Sequence, residues 1–222
     1  MGYVDARHYR FFPGDGGVHA PAIYVIDSPE HPFEVTPFAE PRHTNIITLP
    51  VHNWNDALTP WPAAGLYRGE PDFGGEALLT LKELVNGTIS SIERESGLFP
   101  AARAICGYSL GGLFAMYALV HADVFYACAC LSGSVWYEGW VEHLQALDFD
   151  LSGRYAYLSL GIKERRAARP ILKTVQERMT ACEDILKAHG ATVDFCMVPG
   201  NHLQHIPERL GAGLEALDRF MQ

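Results

Sequence analysis

Ala104-Ile105-Cys106-Gly107-Tyr108-Ser109-Leu110-Gly111-Gly112-Leu113 is the stretch that decides how this chain is read. Ala104-Ile105-Cys106 reads as the end of a short buried strand. Leu113 to Val120 reads as a buried helix packed under a sheet, because it is apolar all round. Between them, Gly107-Tyr108-Ser109-Leu110-Gly111 has the spacing G-x-S-x-G. On such a turn the serine is held in a strained backbone conformation, proud of the strand end, and a helix starts at once. The glycines are expected to be steric: a Cβ at Gly107 or Gly111 would crowd the helix against the strand. The pentapeptide alone is common by chance. A strand before it and a helix after it make it a nucleophile elbow.

Outward from the elbow, apolar runs alternate with helical patterns, the signature of a mostly parallel α/β sheet flanked by helices. Ala22 to Ile26 and Asn45 to Leu49 read as early strands. A helix is predicted from about Gly75 to Glu95, with Leu78, Leu81, Leu84, Val85, Ile89 and Ile92 inward. After the elbow helix come a strand near Tyr126 to Leu131 and a short helix near Glu138 to Leu147. Then follow a strand over Tyr155 to Leu160, a long helix over Pro170 to Ala188, a last strand over Val193 to Val198, and a final helix from about Gln204 to Phe220. Val51 to Gly74 differs, with Pro60, Pro62, Pro71, Trp54 and Trp61. It is long for a neutral connection and follows a central strand, where open parallel sheets place their ligands. There is no internal repeat or low-complexity linker.

The chain has 222 residues, enough for one sizeable core, so residues 1–222 are expected to form a single domain without a separate lid domain. Its net charge of −9 and the lack of a basic patch disfavour nucleic acid and anionic membrane as partners. Met1 to Pro13 carries Asp5, Arg7, His8 and Arg10 and has no apolar core of a signal peptide. No apolar run approaches the roughly 20 residues of a membrane helix. The five cysteines, an odd number with no C-x-x-C pair, read as buried free thiols in a reducing cytoplasm. A homo-oligomer is compatible with this composition.

A serine hydroxyl needs a base within hydrogen-bond reach, and the base needs an acid that fixes its tautomer. With this elbow the chain order is Ser, then Asp or Glu, then His. His202 lies in Val198-Pro199-Gly200-Asn201-His202, on a turn after the last strand and ahead of the final helix, where the base belongs. The bland alternative is a capping or surface histidine. The acid belongs after the preceding strand, and Glu164 is the only carboxylate in Leu160-Gly161-Ile162-Lys163-Glu164-Arg165-Arg166. Its alternative is a surface charge paired with Arg165 or Arg166, worth little energetically. Among the rivals, Asp194 falls inside the last strand, and Glu183 and Asp184 fall on a helix. An oxyanion hole takes backbone N–H groups from Leu110 and from the loop after an early strand, here Asn53 or Trp54. His202 and His205 have no third ligand at metal spacing, and no glycine-rich phosphate loop is present, so neither metal nor cofactor is expected.

These residues also carry a resemblance. Trp54-Asn55-Asp56-Ala57-Leu58-Thr59-Pro60-Trp61-Pro62, the elbow, Ser132-Gly133-Ser134-Val135-Trp136-Tyr137, Leu158-Ser159-Leu160-Gly161 with Glu164, and Gly200-Asn201-His202 resemble the esterase family of α/β-hydrolases that includes esterase D and the ferri-enterobactin esterases. The elbow is generic to the superfamily; the Trp-rich loop and the Ser-Gly-Ser-x-Trp segment are more specific. The resemblance implies an α/β-hydrolase fold and hydrolysis of a small-molecule carboxylic ester, with Ser109 as nucleophile and His202 as base. Many members of that family have Gly-x-x-Asp where this chain has Gly161-Ile162-Lys163-Glu164. Trp54, Trp61, Trp136 and Tyr137 are candidate pocket walls, with plain core packing as the alternative. Gln204 and His205 are further candidates to face the site. An acyltransferase or thioesterase on the same triad, and a non-catalytic binding protein on this fold, are the other readings.

Overall fold

The computed structural model describes residues 2–39 and 42–222; Met1, Glu40 and Pro41 lie outside the described residues. Seven strands form one sheet in the order β1-β3-β2-β4-β5-β6-β7. They are β1 (Arg10–Phe12), β2 (Ala22–Asp27), β3 (Asn45–Pro50), β4 (Arg103–Tyr108), β5 (Ala127–Leu131), β6 (Tyr155–Gly161) and β7 (Thr192–Val198). Among these seven strands only β1 runs antiparallel, against β3; the other strand pairs are parallel. Parallel strands are buried on both faces, which is why β2 through β6 read as continuous apolar runs rather than alternating ones.

The helices are α1 (Thr36–Ala39), α2 (Trp54–Ala57), α3 (Ala77–Glu83), α4 (Ile89–Ser96), α5 (Leu110–His121), α6 (Trp140–Ala146), α7 (Pro170–Lys173), α8 (Val175–Ala188) and α9 (Ile206–Met221). Successive strand residues point to opposite faces, and the core divides accordingly. Tyr24, Ile26, Ile105 and Cys128 join α3, α4, α5, α6 and α8 in one cluster. Ile23, Val25, Ala104 and Ala127 pack with Leu210, Leu214 and Leu217 of α9 in the other. α5 runs down the centre, and every residue from Leu110 to Leu119 is buried.

Three expectations need correction. The helix predicted over 75–95 is interrupted by a π-helical stretch over Leu84–Thr88. That wider turn rotates everything after it relative to a continuous 3.6-residue spiral. Leu78, ahead of the π stretch, and Val85, within it, both expected inward, are exposed, and after it Ile89, Ile92 and Glu93 are buried. Glu93 then meets Tyr24 Oη at 2.7 Å and the Arg103 guanidinium at 2.6 and 2.8 Å. The long helix over 170–188 is two, α7 and α8, meeting at Thr174. Cys196 is only partly buried, whereas the other four cysteines are buried and all five are free.

A fourth correction concerns the elbow glycines. A Cβ on Gly107 would lie 2.1 Å from the Gly111 carbonyl oxygen, a contact with backbone that cannot be relieved locally. On Gly111 the nearest atom would be Ile26 Cγ2 at 3.4 Å, which is ordinary contact. The tight second position is Gly112, whose Cβ would meet Gly107 O and Gly133 Cα at 3.0 Å. Gly107→Ala is accordingly expected to cost about 1–3 kcal/mol through overpacking. Gly111→Ala should be neutral or stabilising by up to about 1 kcal/mol, because alanine is the better helix former. Urea unfolding of the two variants checks this; equal destabilisation would refute the assignment of the close contact to position 107.

Candidate active site

The C-terminal edge of the parallel strands carries the site. Ser109 follows β4, Ser132 follows β5, Glu164 follows β6 and His202 follows β7. This is the edge where open α/β sheets bind their ligands, because the diverging connections leave a crevice there. Ser109 has φ 57° and ψ −120°, outside the ordinary regions for a non-glycine residue. Such a residue stores about 1–3 kcal/mol and persists only where its surroundings fix it. Here its N–H donates to Leu131 O at 3.0 Å, and its carbonyl accepts from Ser134 N at 3.0 Å and Leu113 N at 3.1 Å.

Three side chains predicted from three separate turns come together. His202 Nε2 lies 3.0 Å from Ser109 Oγ, and His202 Nδ1 lies 2.9 Å from Glu164 Oε2. Glu164 opens a single 3₁₀ turn over Glu164–Arg166 and is only 7% exposed. Its carboxylate is therefore buried, not the surface charge of the alternative reading. Burial pushes its pKa up, but the His202 hydrogen bond and charge, the Gly161 N–H at 2.8 Å and the Ser132 hydroxyl at 2.9 Å outweigh it. The net shift is below the ordinary 4.5. The rival Asp194 is occupied elsewhere, accepting from Tyr155 Oη at 2.7 Å.

Sequence reasoning did not find Arg209. This α9 residue is 2% exposed, and its guanidinium lies among the ends of β4, β5, β6 and β7. Nη1 donates to Glu164 Oε1 at 3.0 Å, Ser132 Oγ at 2.6 Å and Tyr108 Oη at 3.0 Å. Nη2 donates to the carbonyls of Pro199 at 3.0 Å and Asn201 at 2.9 Å. The acid turn and the histidine turn are thus pinned to one planar cation, whose fork suits several acceptors at once. Tyr108 closes the circuit by donating to the His202 carbonyl at 2.6 Å. Gly161 makes room: a Cβ there would lie 2.6 Å from Arg209 Nη2 and from Gly200 O. Ser132, at φ 45°, was legible only as part of Ser-Gly-Ser.

Beside Ser109 is a cavity of about 560 Å³. Trp136, Leu66, Leu172, Val175 and Leu203 supply its apolar lining, with Ser134, Lys163 and Arg166 among the polar groups. Of the predicted wall residues, Trp136 is in this lining. Trp61 and Tyr137 are not; they follow the core-packing alternative. Tyr137 is 1% exposed and donates to Trp61 O at 2.6 Å, while Trp61 packs against Tyr137, Trp140 and His143. Trp54 and Asn53 border a separate, smaller depression. The Trp54 ring nonetheless reaches the elbow helix, 3.6 Å from where a Gly111 Cβ would be. Leu110 and Trp54 are the first residues of α5 and α2, so their N–H groups have no acceptor within their own helices. Asn53 precedes α2 with a left-handed φ of 54°.

Burial pushes the thiols of Cys106 and Cys182 up to about 12, which makes them poor nucleophiles. Among the described residues, no group of three or more His, Cys, Asp or Glu is placed to hold a metal ion, and no helix is long and apolar enough to cross a membrane.

The strand order, the elbow and the positions of the three turns define the α/β-hydrolase fold, as the resemblance implied. No family model matches the chain. It is 29% identical over 184 residues to the Bacillus subtilis protein known as uncharacterized protein YbbA, covering 78% of this chain and 74% of that one. Among solved structures, an IroE-like serine hydrolase from Shewanella oneidensis superposes with a TM-score of 0.75 at 20% identity, over 95% of this chain and 75% of its own. Siderophore hydrolase EstA from Aspergillus nidulans does so with a TM-score of 0.68 at 18% identity, over 94% and 85%.

Proposed function

We propose that this chain is a serine hydrolase of carboxylic esters, acting on a single α/β-hydrolase domain through an acyl-enzyme on Ser109. One observation carries the reading: a continuous run of hydrogen bonds from Glu164 Oε2 through His202 to Ser109 Oγ, at the wall of a partly apolar cavity. The neighbours described as serine hydrolase and siderophore hydrolase support ester chemistry on this fold.

In this scheme Ser109 Oγ attacks the ester carbonyl carbon as its proton passes to His202 Nε2. Glu164 accepts the Nδ1 proton in a hydrogen bond, fixing the tautomer and stabilising the imidazolium without itself being protonated. The carbonyl oxygen becomes an oxyanion held by the Leu110 N–H and a second N–H from Asn53 or Trp54. The intermediate collapses, the C–O bond breaks, and the leaving alcohol takes the proton from His202. Water repeats the sequence: it gives a proton to His202, attacks the acyl carbon and releases the carboxylic acid and free Ser109. No cofactor takes part. Five free cysteines support a cytoplasmic location.

A fluorophosphonate probe tests the reading. It reacts preferentially with an activated serine, and mass spectrometry is expected to find the main adduct on the peptide containing Ser109. A folded protein that takes no label and leaves short p-nitrophenyl esters intact would be a binding protein, not an enzyme.

A further inference from the structure

The cavity beside Ser109 combines an apolar lining with two cations. Leu66, Trp136, Leu172 and Val175 line it, and Lys163 and Arg166, on either side of Glu164, reach the same space. Among the described residues neither cation belongs to an ion pair; the arginines and lysines that do are Arg10, Arg103, Arg154, Arg178, Lys187 and Arg209. The one carboxylate in the lining, Glu164, is already taken up by His202 and Arg209. The acids on the Leu66 loop do not neutralise the pair either. Glu70 accepts from the Tyr67 N–H at 3.1 Å and Asp72 from the Gly65 N–H at 3.0 Å, and neither lines the cavity. A chain of net charge −9 thus keeps unneutralised positive charge at its reactive serine.

We infer that the ester cleaved here carries a carboxylate alongside its apolar part, and that Lys163 and Arg166 receive that carboxylate while Trp136 and its apolar neighbours hold the rest. The inference rests on Ser109 being the nucleophile of an esterase. A guanidinium fork and an ammonium suit a carboxylate. In a cleft with low-dielectric walls they also raise the local concentration of an anionic substrate.

The test compares two esters of equal acyl length, p-nitrophenyl hexanoate and the p-nitrophenyl monoester of adipic acid, which differ in a terminal carboxylate. At low salt kcat/KM is expected to favour the acidic ester by about five- to tenfold, the scale of two partly exposed charge pairs. The advantage should shrink as salt screens the charges. The double variant K163Q/R166Q, checked for folding by circular dichroism, should bring the ratio to one or below. K82Q/K187Q, which removes the same charge from α3 and α8, should leave the ratio as in the wild type. Turnover of the neutral ester with no preference for the acidic one, or a preference that survives in K163Q/R166Q, overturns the inference and leaves the esterase standing. Failure to cleave either ester removes both.

Discussion

Ser109→Ala is expected to lower the rate of ester hydrolysis by at least about 10³-fold while leaving the protein folded. The loss is large because the alanine has no Oγ for His202 Nε2 to activate at 3.0 Å, and nothing nearby substitutes for it. Ser134 Oγ is 3.5 Å from Ser109 Oγ, but no hydrogen bond joins it to His202 among those described. The Cys106 and Cys182 thiols stay protonated. Hydrolysis of a short p-nitrophenyl ester, measured with near- and far-UV circular dichroism, decides the matter. A folded variant with wild-type turnover would take the nucleophile's role away from Ser109.

The second large effect is expected at Glu164. Glu164→Gln keeps the shape but presents an amide that can donate to Nδ1 and so favour the wrong imidazole tautomer; kcat should fall by up to about 10⁴-fold. A silent substitution would send the search for the acid to another residue. Stability supplies an independent signature. Glu164 has a folded pKa below its ordinary 4.5, so its ionisation stabilises the fold fully above that value, and the contribution is lost as pH falls through the lower folded value. Glutamine has no such term. The gap in unfolding free energy between wild type and Glu164→Gln should therefore be constant from about pH 7 to about pH 5 and close below about pH 4. A gap that does not depend on pH would mean that the carboxylate's charge is not what the fold uses.

The parts of this molecule legible in the sequence are those encoded by local pattern. Continuous apolar runs gave β2 to β6, and a serine between glycines at a strand–helix junction gave the elbow. Chain order and position just after a strand end led from Ser109 to Glu164 and His202, which the fold brings into one hydrogen-bonded run. What escaped was non-local. β1 is three half-buried residues whose only reason to be a strand is its pairing with β3. The π turn at Leu84–Thr88 leaves no mark in a periodicity count, yet it sets the face of α4 that turns Glu93 to the interior. Tyr137 is next to Trp136, but adjacent residues point different ways, and Trp61 comes from another loop; of the three only Trp136 lines the cavity. Arg209 looks like any basic residue on an amphipathic helix. Its partners lie 45, 77 and 101 positions away, a distance no motif spans.

That arginine also limits how this sequence can drift. Losing either member of a buried ion pair strands the other, at about 3–5 kcal/mol, a large share of the roughly 5–15 kcal/mol that holds a domain together. Arg209 and Glu164 form such a pair, 1% and 5% exposed at their side chains. Single steps away from either residue therefore cross a fitness valley, even where a two-step replacement on the far side would fold well. The longer glutamate of the Gly161–Glu164 turn is locked to its arginine by mutual dependence. A lineage that acquired this pairing would keep it through divergence that freely rewrites the cavity lining around it.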